Sequence, residues 1–542
     1  MRKTCFQSFL VVAALSIQAT ACAAPEAPAP SVEEAALQPQ HGGTFYLTVR
    51  SKPSHLHPFA DSTTANSITT GPVFETLLKY DYTGDFRDEF KVLPNLAERW
   101  ERSDPTTYLF HLRKGIKFND GSDFTSEDAA WSLEYLRDPA NKFRRAPVLA
   151  DMDKAVAVDP YTLRVTTKAP SPVFIDRITD RNPIMLSKKA FERGVNFEQE
   201  AIGTGPFKLT TWDRTGGANL IKNDAYWQSG QPYLDKIQFF YNFDFSGSIA
   251  AFTAGKNDVV KVSNQLEFDQ IKALNPGVRG ESFNQNNATS MIFRMDRPPF
   301  NDVRVRRALH LAIDRNEMNE TLASGLARLN APGVNPGHPW AIPQSELATL
   351  PGYRKAKDQD LAEAKRLLAG AGYANGLRFV FQYNTSSTRR DPESQMVSAQ
   401  LKKIGVNMEL KPTEDAVARK AEADGDFEST FATFDYDPDG SPWRDWLHSK
   451  IGKGRTGLDD RELDRLIEAQ GVEMDTEKRK GLWRAVQQRV LDNLYVVPLI
   501  SQEGFIAYQP YVHGWGDNRA GQAVNLSWES TWLEVDKVPP GR

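Results

Sequence analysis

The segment of residues 378–410 restricts the fold more than any other part of the chain. It opens with "RFVFQYN" (378–384) and closes with "VNMEL" (406–410), and the apolar pattern of each predicts a strand. Between them, Asp391 is the predicted N-cap of a helix, with Pro392 in its first turn. The buried stripe of this helix is predicted to consist of Val397, Leu401 and Ile404. A strand, a helix and a strand in this order predict parallel strands with a right-handed connection, and therefore an α/β fold.

The length of 542 residues exceeds what a single hydrophobic core normally organises, so two or more lobes are expected. The strand pattern "GGTFYLTVR" places the start of the folded body near Gly42. After about residue 285 the pattern changes, because "SMIFRM" predicts a strand and Asn301-Asp302 predicts a helix cap. A second lobe is expected to begin there. Within it, "STFATF" (429–434) predicts a further strand.

The first residues of the chain are expected to be a secretory leader. Two cations, Arg2 and Lys3, precede an apolar run of about 15 residues, which is too short to span a membrane as a helix. We predict a signal peptide over residues 1–21 and a Pro-rich tether over residues 22–41. Two processing routes stay open, namely lipidation of Cys22 and simple cleavage after an A-x-A triplet. Cys5 and Cys22 are the only cysteines, which excludes disulfides and thiolate metal sites from the folded body.

The acidic loop "DYDPDG" (435–440) has the opening spacing of a calcium-binding EF-hand loop. Such a loop needs a bidentate glutamate at its twelfth position, where this chain has Trp446, and Pro438 stiffens the region that must curl. The position of the loop indicates a different role, because ligands of open α/β sheets bind at the carboxyl ends of strands. Asp435 directly follows one predicted strand and is suited to a ligand cation.

The segment "NTSSTRRDP" (384–392) follows another strand of the same predicted sheet. Arg389 and Arg390 directly precede the predicted helix, so their guanidinium groups and the helix dipole both favour a bound anion such as a carboxylate. An ordinary role as surface charges stays open for either arginine. We expect these arginines and Asp435 to face one crevice.

Signatures of enzymes are absent from the sequence. It contains no G-x-S-x-G, H-E-x-x-H or Walker pattern, and "GTGPF" (203–207) lacks the third glycine of a dinucleotide site. His55 and His57 form an H-x-H pair without an evident third metal ligand. A net charge of −4 gives no basic footprint for nucleic acid. No catalytic residue, cofactor or metal site is therefore predicted.

Five ordered segments resemble the family 5 extracellular solute-binding proteins, the peptide, nickel and opine receptors of ABC importers. The segments are "LPNLAERWERSDPTTYLFHLRKGIKFNDGSDFTSEDAAWSL" (93–133), "GTGPFKL" (203–209), "PPFNDVRVRRALHLAIDR" (298–315), "AKRLLAGAGY" (364–373) and "AQLKKIGVNMEL" (399–410). The resemblance implies a two-lobe, venus-flytrap periplasmic binding protein of the cluster C type. It further implies a first lobe over 42–285 with an inserted subdomain at about 75–195, a second lobe over 286–500, and a C-terminal return over 501–542.

The resemblance also implies a ligand site. In dipeptide-binding members, an aspartate after the strand equivalent to 429–434 holds the ligand's amino group, and an arginine ahead of the helix holds its carboxylate. Asp435 matches that aspartate, and Arg389 or Arg390 lies close to the position of that arginine. The neighbouring side chains expected to line the pocket are Tyr383, Thr433 and Phe434. Ala432 and Phe434 stand where the dipeptide receptors have tryptophan and glycine, so a changed pocket is expected.

Three functions follow as hypotheses. The first is a periplasmic, monomeric receptor that captures an extended oligopeptide between its lobes and delivers it to an inner-membrane ABC permease. The second is a receptor of the same fold that binds an opine, an oligosaccharide or a nickel complex. The third is a secreted hydrolase, which the missing nucleophile and base patterns disfavour.

Overall fold

The computed structural model describes residues 37–61, 63–81, 91–179, 182–242, 244–262, 264–284, 288–385, 389–434, 440–515 and 527–539. Its sheets form two groups that share no strand within these ranges. We call the group built from residues 44–284 and 503–533 the first lobe, and the group built from residues 288–501 the second lobe. The chain passes from the first lobe to the second between Asn284 and Ala288, and it returns at Gln502.

The first part of the chain forms most of the first lobe. Its strands are β1 (Thr44–Val49), β2 (Leu78–Tyr80), β3 (Val92–Pro94), β4 (Ala97–Asp104), β5 (Thr107–Leu112), β6 (Met152–Asp159), β7 (Thr162–Thr167), β8 (Phe207–Asp213), β9 (Gly217–Lys222), β10 (Lys236–Tyr241), β11 (Val259–Val262) and β12 (Arg279–Asn284). Its α-helices are α1 (Thr64–Thr70), α2 (Ser126–Arg137), α3 (Phe174–Thr179), α4 (Lys188–Glu192), α5 (Phe245–Thr253) and α6 (Gln265–Leu274).

The second lobe and the C-terminal return follow. The remaining strands are β13 (Ala288–Phe293), β14 (Arg328–Leu329), β15 (Leu377–Asn384), β16 (Val406–Thr413), β17 (Ser429–Phe434), β18 (Val496–Pro498), β19 (Ile500–Ser501), β20 (Glu503–Tyr508), β21 (Val512–His513) and β22 (Trp532–Leu533). The remaining helices are α7 (Val303–Ala312), α8 (Arg315–Ala323), α9 (Gln344–Leu347), α10 (Asp358–Gly370), α11 (Arg390–Lys402), α12 (Asp415–Asp424), α13 (Ser441–Leu447), α14 (Lys453–Thr456), α15 (Arg461–Val472) and α16 (Thr476–Asn493).

Each lobe has its own sheets and buried core. The first lobe contains the sheets β1-β10-β9-β8, β4-β5-β7-β6 and β11-β20-β12, whereas the second lobe is organised by β16-β15-β17-β13-β18. One buried apolar cluster runs from Ala288 to Ile500 within the second lobe. The cluster of the first lobe combines residues 45–259 with residues 506–533 of the return. The prediction of an α/β fold is confirmed, while the predicted lobe and subdomain boundaries stay a proposal.

The predicted strand-helix-strand unit is present, with β15 parallel to β16 and α11 between them. The predicted helix cap is wrong, because α11 begins at Arg390 and its N-cap is Arg389. The reason is a tertiary contact of Asp391, whose carboxylate accepts a hydrogen bond from the Tyr383 hydroxyl at 2.5 Å and does not cap the helix. The cap predicted near residue 302 is correct, since the Asp302 carboxylate accepts the Arg304 N–H at 2.8 Å.

The "GTGPF" segment packs backbone against backbone on the turn after α1. The Gly205 N–H donates to the Val73 carbonyl at 2.9 Å, and the Phe207 N–H donates to the Pro72 carbonyl at 3.1 Å. A Cβ added at Gly203 would lie 2.1 Å from the Val73 oxygen, so only glycine permits this approach. The glycines of this segment therefore allow its backbone to pack closely against Pro72 and Val73.

Among the described residues, no helix is both long enough and apolar enough to cross a membrane.

Candidate functional site

The carboxyl ends of β15 and β17 lie at the edge of the second-lobe sheet where the chain arrives from the first lobe. Strand β13 begins only four positions after β12 ends in the first lobe, and it runs antiparallel to β17. Ala288, the first residue of β13, therefore lies opposite Phe434, the last residue of β17. We call this side of the sheet the lobe-facing edge. It is the position at which an open α/β sheet binds its ligands.

Arg390 lies at the lobe-facing edge and is committed to internal contacts. Its two terminal nitrogens donate to the hydroxyl of Thr289 at 3.0 Å and to that of Thr433 at 3.2 Å, so the guanidinium joins two neighbouring strands. The guanidinium carbon lies 4.5 Å from the centroid of the Phe431 ring, in a cation–π contact. Together these contacts hold Arg390 as part of the sheet's end.

Arg389, one residue earlier, is half-buried and makes no hydrogen bond or ion pair with any residue in the described part of the chain. Burial lowers the pKa of Arg389, and the repulsion of Arg390 acts in the same direction, whereas the attraction of Glu393 opposes both. A desolvated cation is stabilised by a nearby anion. Within the described part of the chain, the two arginines differ, since Arg390 is paired and Arg389 is not.

Glu393 is the buried carboxylate beside these arginines, in the first turn of α11. It is 3% exposed, and its Oε2 lies 3.5 Å from Nη1 of Arg390. Its Oε1 accepts a hydrogen bond from the Gln502 amide at 3.2 Å, and Gln502 belongs to the second crossing between the lobes. Burial raises the pKa of Glu393, although both arginines act to lower it. We call Arg389, Arg390 and Glu393 the charged trio.

The other predicted site residues take different positions. Tyr383 is buried, and its hydroxyl is occupied by Asp391; burial and that carboxylate raise the pKa of Tyr383 to about 12. Thr433 is half-buried and holds Arg390. Phe434 is fully buried, on the opposite face of the sheet from Thr433. Asp435 lies outside the described residues, and the ligand-binding roles of all these residues stay predictions.

The first lobe contains a cavity of about 80 Å³ that sequence reasoning did not find. Its lining includes four charged side chains, namely Glu75, Arg145, Lys79 and Glu529, and the last two form an ion pair with charged atoms 2.7 Å apart. Within the sequence, these residues are separated by up to several hundred positions. The arrangement offers both signs of charge to a polar solute.

Glu75 is a buried carboxylate surrounded by neutral donors. It accepts hydrogen bonds from Thr204 Oγ1 at 2.8 Å, from the Tyr226 hydroxyl at 3.0 Å and from Trp227 Nε1 at 3.1 Å. Burial raises the pKa of Glu75 to about 7 against the effect of these donors, and repulsion by Glu529 adds to the increase. Thr204 belongs to "GTGPF", so this segment was the available sequence signal for the cavity.

Arg145 is buried and also lines the cavity. Its Nη2 donates to the Asp61 carbonyl at 3.2 Å and to Ser67 Oγ at 3.0 Å, and its Nη1 donates to Asn182. These contacts fix the guanidinium against α1 and the loop before it. A fixed guanidinium recognises planar anions and carbonyl groups with little loss of side-chain entropy.

The H-x-H pair belongs to an aromatic environment. His57 is buried, its Nδ1 accepts the Phe59 N–H at 3.2 Å, and its ring lies 4.9 Å from that of Phe143. Burial lowers the pKa of His57 to about 4, with repulsion from His55 adding to the effect. These contacts indicate that His57 packs as a neutral core side chain.

Comparison with known proteins identifies the family. Residues 91–453 match the bacterial extracellular solute-binding proteins, family 5. Over 383 residues the chain is 28% identical to the glutathione-binding protein GsiB of Shigella flexneri serotype 5b (strain 8401), which covers 70% of this chain and 71% of GsiB.

Solved structures share the fold. The periplasmic binding protein DppA from Helicobacter pylori, in complex with the peptide STSA, has a TM-score of 0.73 at 23% identity, covering 91% of this chain and 99% of DppA. The binding protein AgaA from A. tumefaciens R10, in complex with agropinic acid, has a TM-score of 0.70 at 24% identity, covering 91% of this chain and 99% of AgaA. These likenesses establish a two-lobe periplasmic binding fold. With the family match spanning well over half of its length, this protein belongs to the bacterial extracellular solute-binding proteins of family 5.

Proposed function

We propose that this protein is the receptor of an ABC importer and binds a peptide or peptide-like solute with a free carboxylate between its two lobes. The observation that carries the proposal is Arg389, a half-buried cation at the lobe-facing edge without a hydrogen bond or ion pair to the described residues. The relatives support the solute class, because GsiB is named for glutathione and DppA was solved with a peptide.

In the proposed complex, the ligand carboxylate pairs with Arg389 while Arg390 keeps its contacts to Thr289 and Thr433. Main-chain groups of an extended ligand supply affinity that depends little on its side chains. The first-lobe cavity would receive a polar part of the ligand through Arg145 and Glu75. Calorimetric titration with tri-alanine, with glutathione and with their carboxamide forms tests this assignment, and equal affinity for the acid and amide forms would contradict it.

We further propose Asp435 as the anchor of the ligand's amino group, on the family resemblance alone. Asp435→Asn keeps the shape and removes the charge, and truncating one partner of a buried ion pair costs about 2 to 5 kcal/mol. Affinity for a peptide with a free amino terminus should fall by roughly 30-fold or more. Acetylating the peptide should cost the wild type a similar factor and the variant much less. If titration calorimetry shows that the losses from Asp435→Asn and from acetylation simply add, Asp435 does not bind the amino group.

Binding is expected to close the lobes, because two chain crossings allow rotation while each lobe keeps its own core. The hinge is proposed at residues 283–290 and 499–505. Closure requires the ligand to bind the closed form more tightly than the open form. Small-angle scattering should show a smaller radius of gyration at saturating ligand, and an unchanged radius would contradict the closure.

A second candidate function is the binding of an opine or another small polar solute such as an oligosaccharide or a nickel complex. The cavity with Arg145 and Glu75 favours it, as does Ala432 in the place of the tryptophan of the dipeptide receptors. AgaA, with agropinic acid, shows such use of the same fold. A thermal-shift screen of peptides, opines and sugars separates these candidates. Unchanged ligand mass after incubation with the protein would set aside the hydrolase hypothesis.

We propose that the protein works in the periplasm as a monomer and reaches it through a leader over residues 1–21. Cys22 follows that leader and is proposed as a lipid attachment site, in competition with simple cleavage; both segments lie outside the described residues. Fractionation of cells distinguishes the routes, because Cys22→Ser would move a lipidated protein from the membrane fraction to the soluble fraction.

A further inference from the structure

The charged trio has an unequal balance of charge in a largely desolvated place. Within the described residues, two guanidinium groups act on the carboxylate of Glu393, which is 3% exposed, and the carboxylate of Glu422 also acts on Arg390. Oε2 of Glu393 lacks a hydrogen bond, at 3.5 Å from the nearest nitrogen of Arg390. The carboxylate therefore acts on both arginines through space more than through a closed ion pair. Glu393 thus offsets part of the positive charge of the two arginines.

Three contacts favour the ionised form of Glu393 and oppose the effect of burial, which raises its pKa. It lies in the first turn of the 13-residue helix α11, where the helix dipole stabilises a negative charge. The Gln502 amide donates to its Oε1, and a side-chain amide N–H in this position needs an acceptor. Both arginines attract the carboxylate. Each of these contacts would be weakened by protonation.

We propose that Glu393 is a specificity-determining residue that limits the anion subsite at Arg389 to a single negative charge. The inference rests on the proposed function, because it assumes that Arg389 receives the ligand's anionic group. A ligand carboxylate places one negative charge beside Arg389. A doubly charged group such as a phosphonate or a phosphate places its second charge against the buried Glu393, where low polarity strengthens the repulsion.

The hydrogen bond from Gln502 fixes the position of the Glu393 carboxylate. Gln502 is 6% exposed and lies in the crossing between β19 and β20, so its amide holds the carboxylate from the side of the hinge. The neighbouring Glu503 is also tied across the lobes, with its carboxylate 3.3 Å from Arg328. The position of Glu393 is thereby set by the crossing segment as well as by α11.

Glu393→Gln tests the proposal, because it keeps the shape and the hydrogen bond to Gln502 while removing the charge. The probes are tri-alanine and its analogue with a terminal phosphonate, titrated under mildly alkaline conditions that ionise the phosphonate twice. We compare the affinity for the phosphonate with the affinity for tri-alanine. In the variant this ratio should rise by roughly tenfold, as expected when one repulsion between unit charges is removed. A purely structural role would lower stability and leave this ratio unchanged.

Two further variants keep the test decisive. Glu363→Gln removes an exposed carboxylate of the same lobe, paired with Arg366 at 2.6 Å, and should leave the ratio unchanged. Gln502→Glu adds a carboxylate to the trio and should shift the ratio away from the phosphonate, which keeps the proposal testable if Glu393→Gln does not fold. A ratio within twofold of wild type in both Glu393→Gln and Gln502→Glu would overturn the proposal, as would an equal shift in Glu363→Gln.

The failure of the proposed function has a different signature. If tri-alanine does not bind the wild type, peptide binding fails for this probe, and sulfate and acetate titrations at matched ionic strength then decide the role of Glu393. Glu393→Gln should favour sulfate over acetate relative to wild type and to Glu363→Gln, and no such preference would overturn the proposal.

Discussion

Replacing Arg389 with glutamine is expected to reduce the affinity for a peptide with a free carboxylate by roughly 30-fold or more. Arg389 is half-buried and has no hydrogen bond or ion pair within the described residues, so its charge is available to the ligand. Removing one partner of a desolvated ion pair costs about 2 to 5 kcal/mol, because the remaining charge stays buried without compensation. Titration calorimetry with tri-alanine measures the loss directly.

A double-mutant cycle assigns that loss to the carboxylate. The carboxamide form of the peptide should bind the wild type and the Arg389→Gln variant with similar affinity, because both changes remove the same interaction. Arg366→Gln is the matched control, since this arginine is exposed on α10 and should not affect either peptide. Additive losses would show that Arg389 does not contact the carboxylate and would move the anion subsite elsewhere.

Replacing Gly203 with alanine is expected to destabilise the first lobe by about 3 kcal/mol. The added Cβ would lie 2.1 Å from the Val73 carbonyl oxygen and 2.7 Å from the ring of Phe74. A backbone oxygen cannot rotate away as a flexible side chain can, so the "GTGPF" segment has to move off the turn after α1. That movement also withdraws Thr204 from the Glu75 carboxylate. The midpoint of urea unfolding, followed by tryptophan fluorescence, should fall clearly below that of the wild type.

Gly471 provides the matched control for this substitution. It lies in α15, and a Cβ added there would meet no heavy atom within 4 Å. Gly471→Ala should therefore leave stability unchanged or raise it by about 0.5 to 1 kcal/mol, because alanine loses less backbone entropy in a helix. Equal unfolding midpoints for Gly203→Ala and wild type would show that the close approach at "GTGPF" contributes little.

Local patterns predicted the secondary structure well where the residues act within one element. The pattern "STFATF" predicted the strand that forms as β17, and the residues near 302 predicted the start of α7. The start of α11 was misjudged, because Asp391 looks like a cap in the sequence but its carboxylate accepts the Tyr383 hydroxyl. A side chain that can hydrogen-bond both locally and across the fold defeats a purely local rule.

The sequence by itself determined the α/β class, the parallel strand-helix-strand unit and the resemblance to family 5, because periodicity, helix caps and ordered motifs are all written within short stretches. The tertiary structure decided which arginine is hydrogen-bonded within the described residues, where the buried carboxylate lies and that a first-lobe cavity exists. Arg390 meets Thr289 across 101 positions, and Glu393 meets Gln502 across 109. Such contacts depend on strand order and on burial. Neither property can be read from one stretch of sequence, so two adjacent arginines that look alike have different roles in the fold.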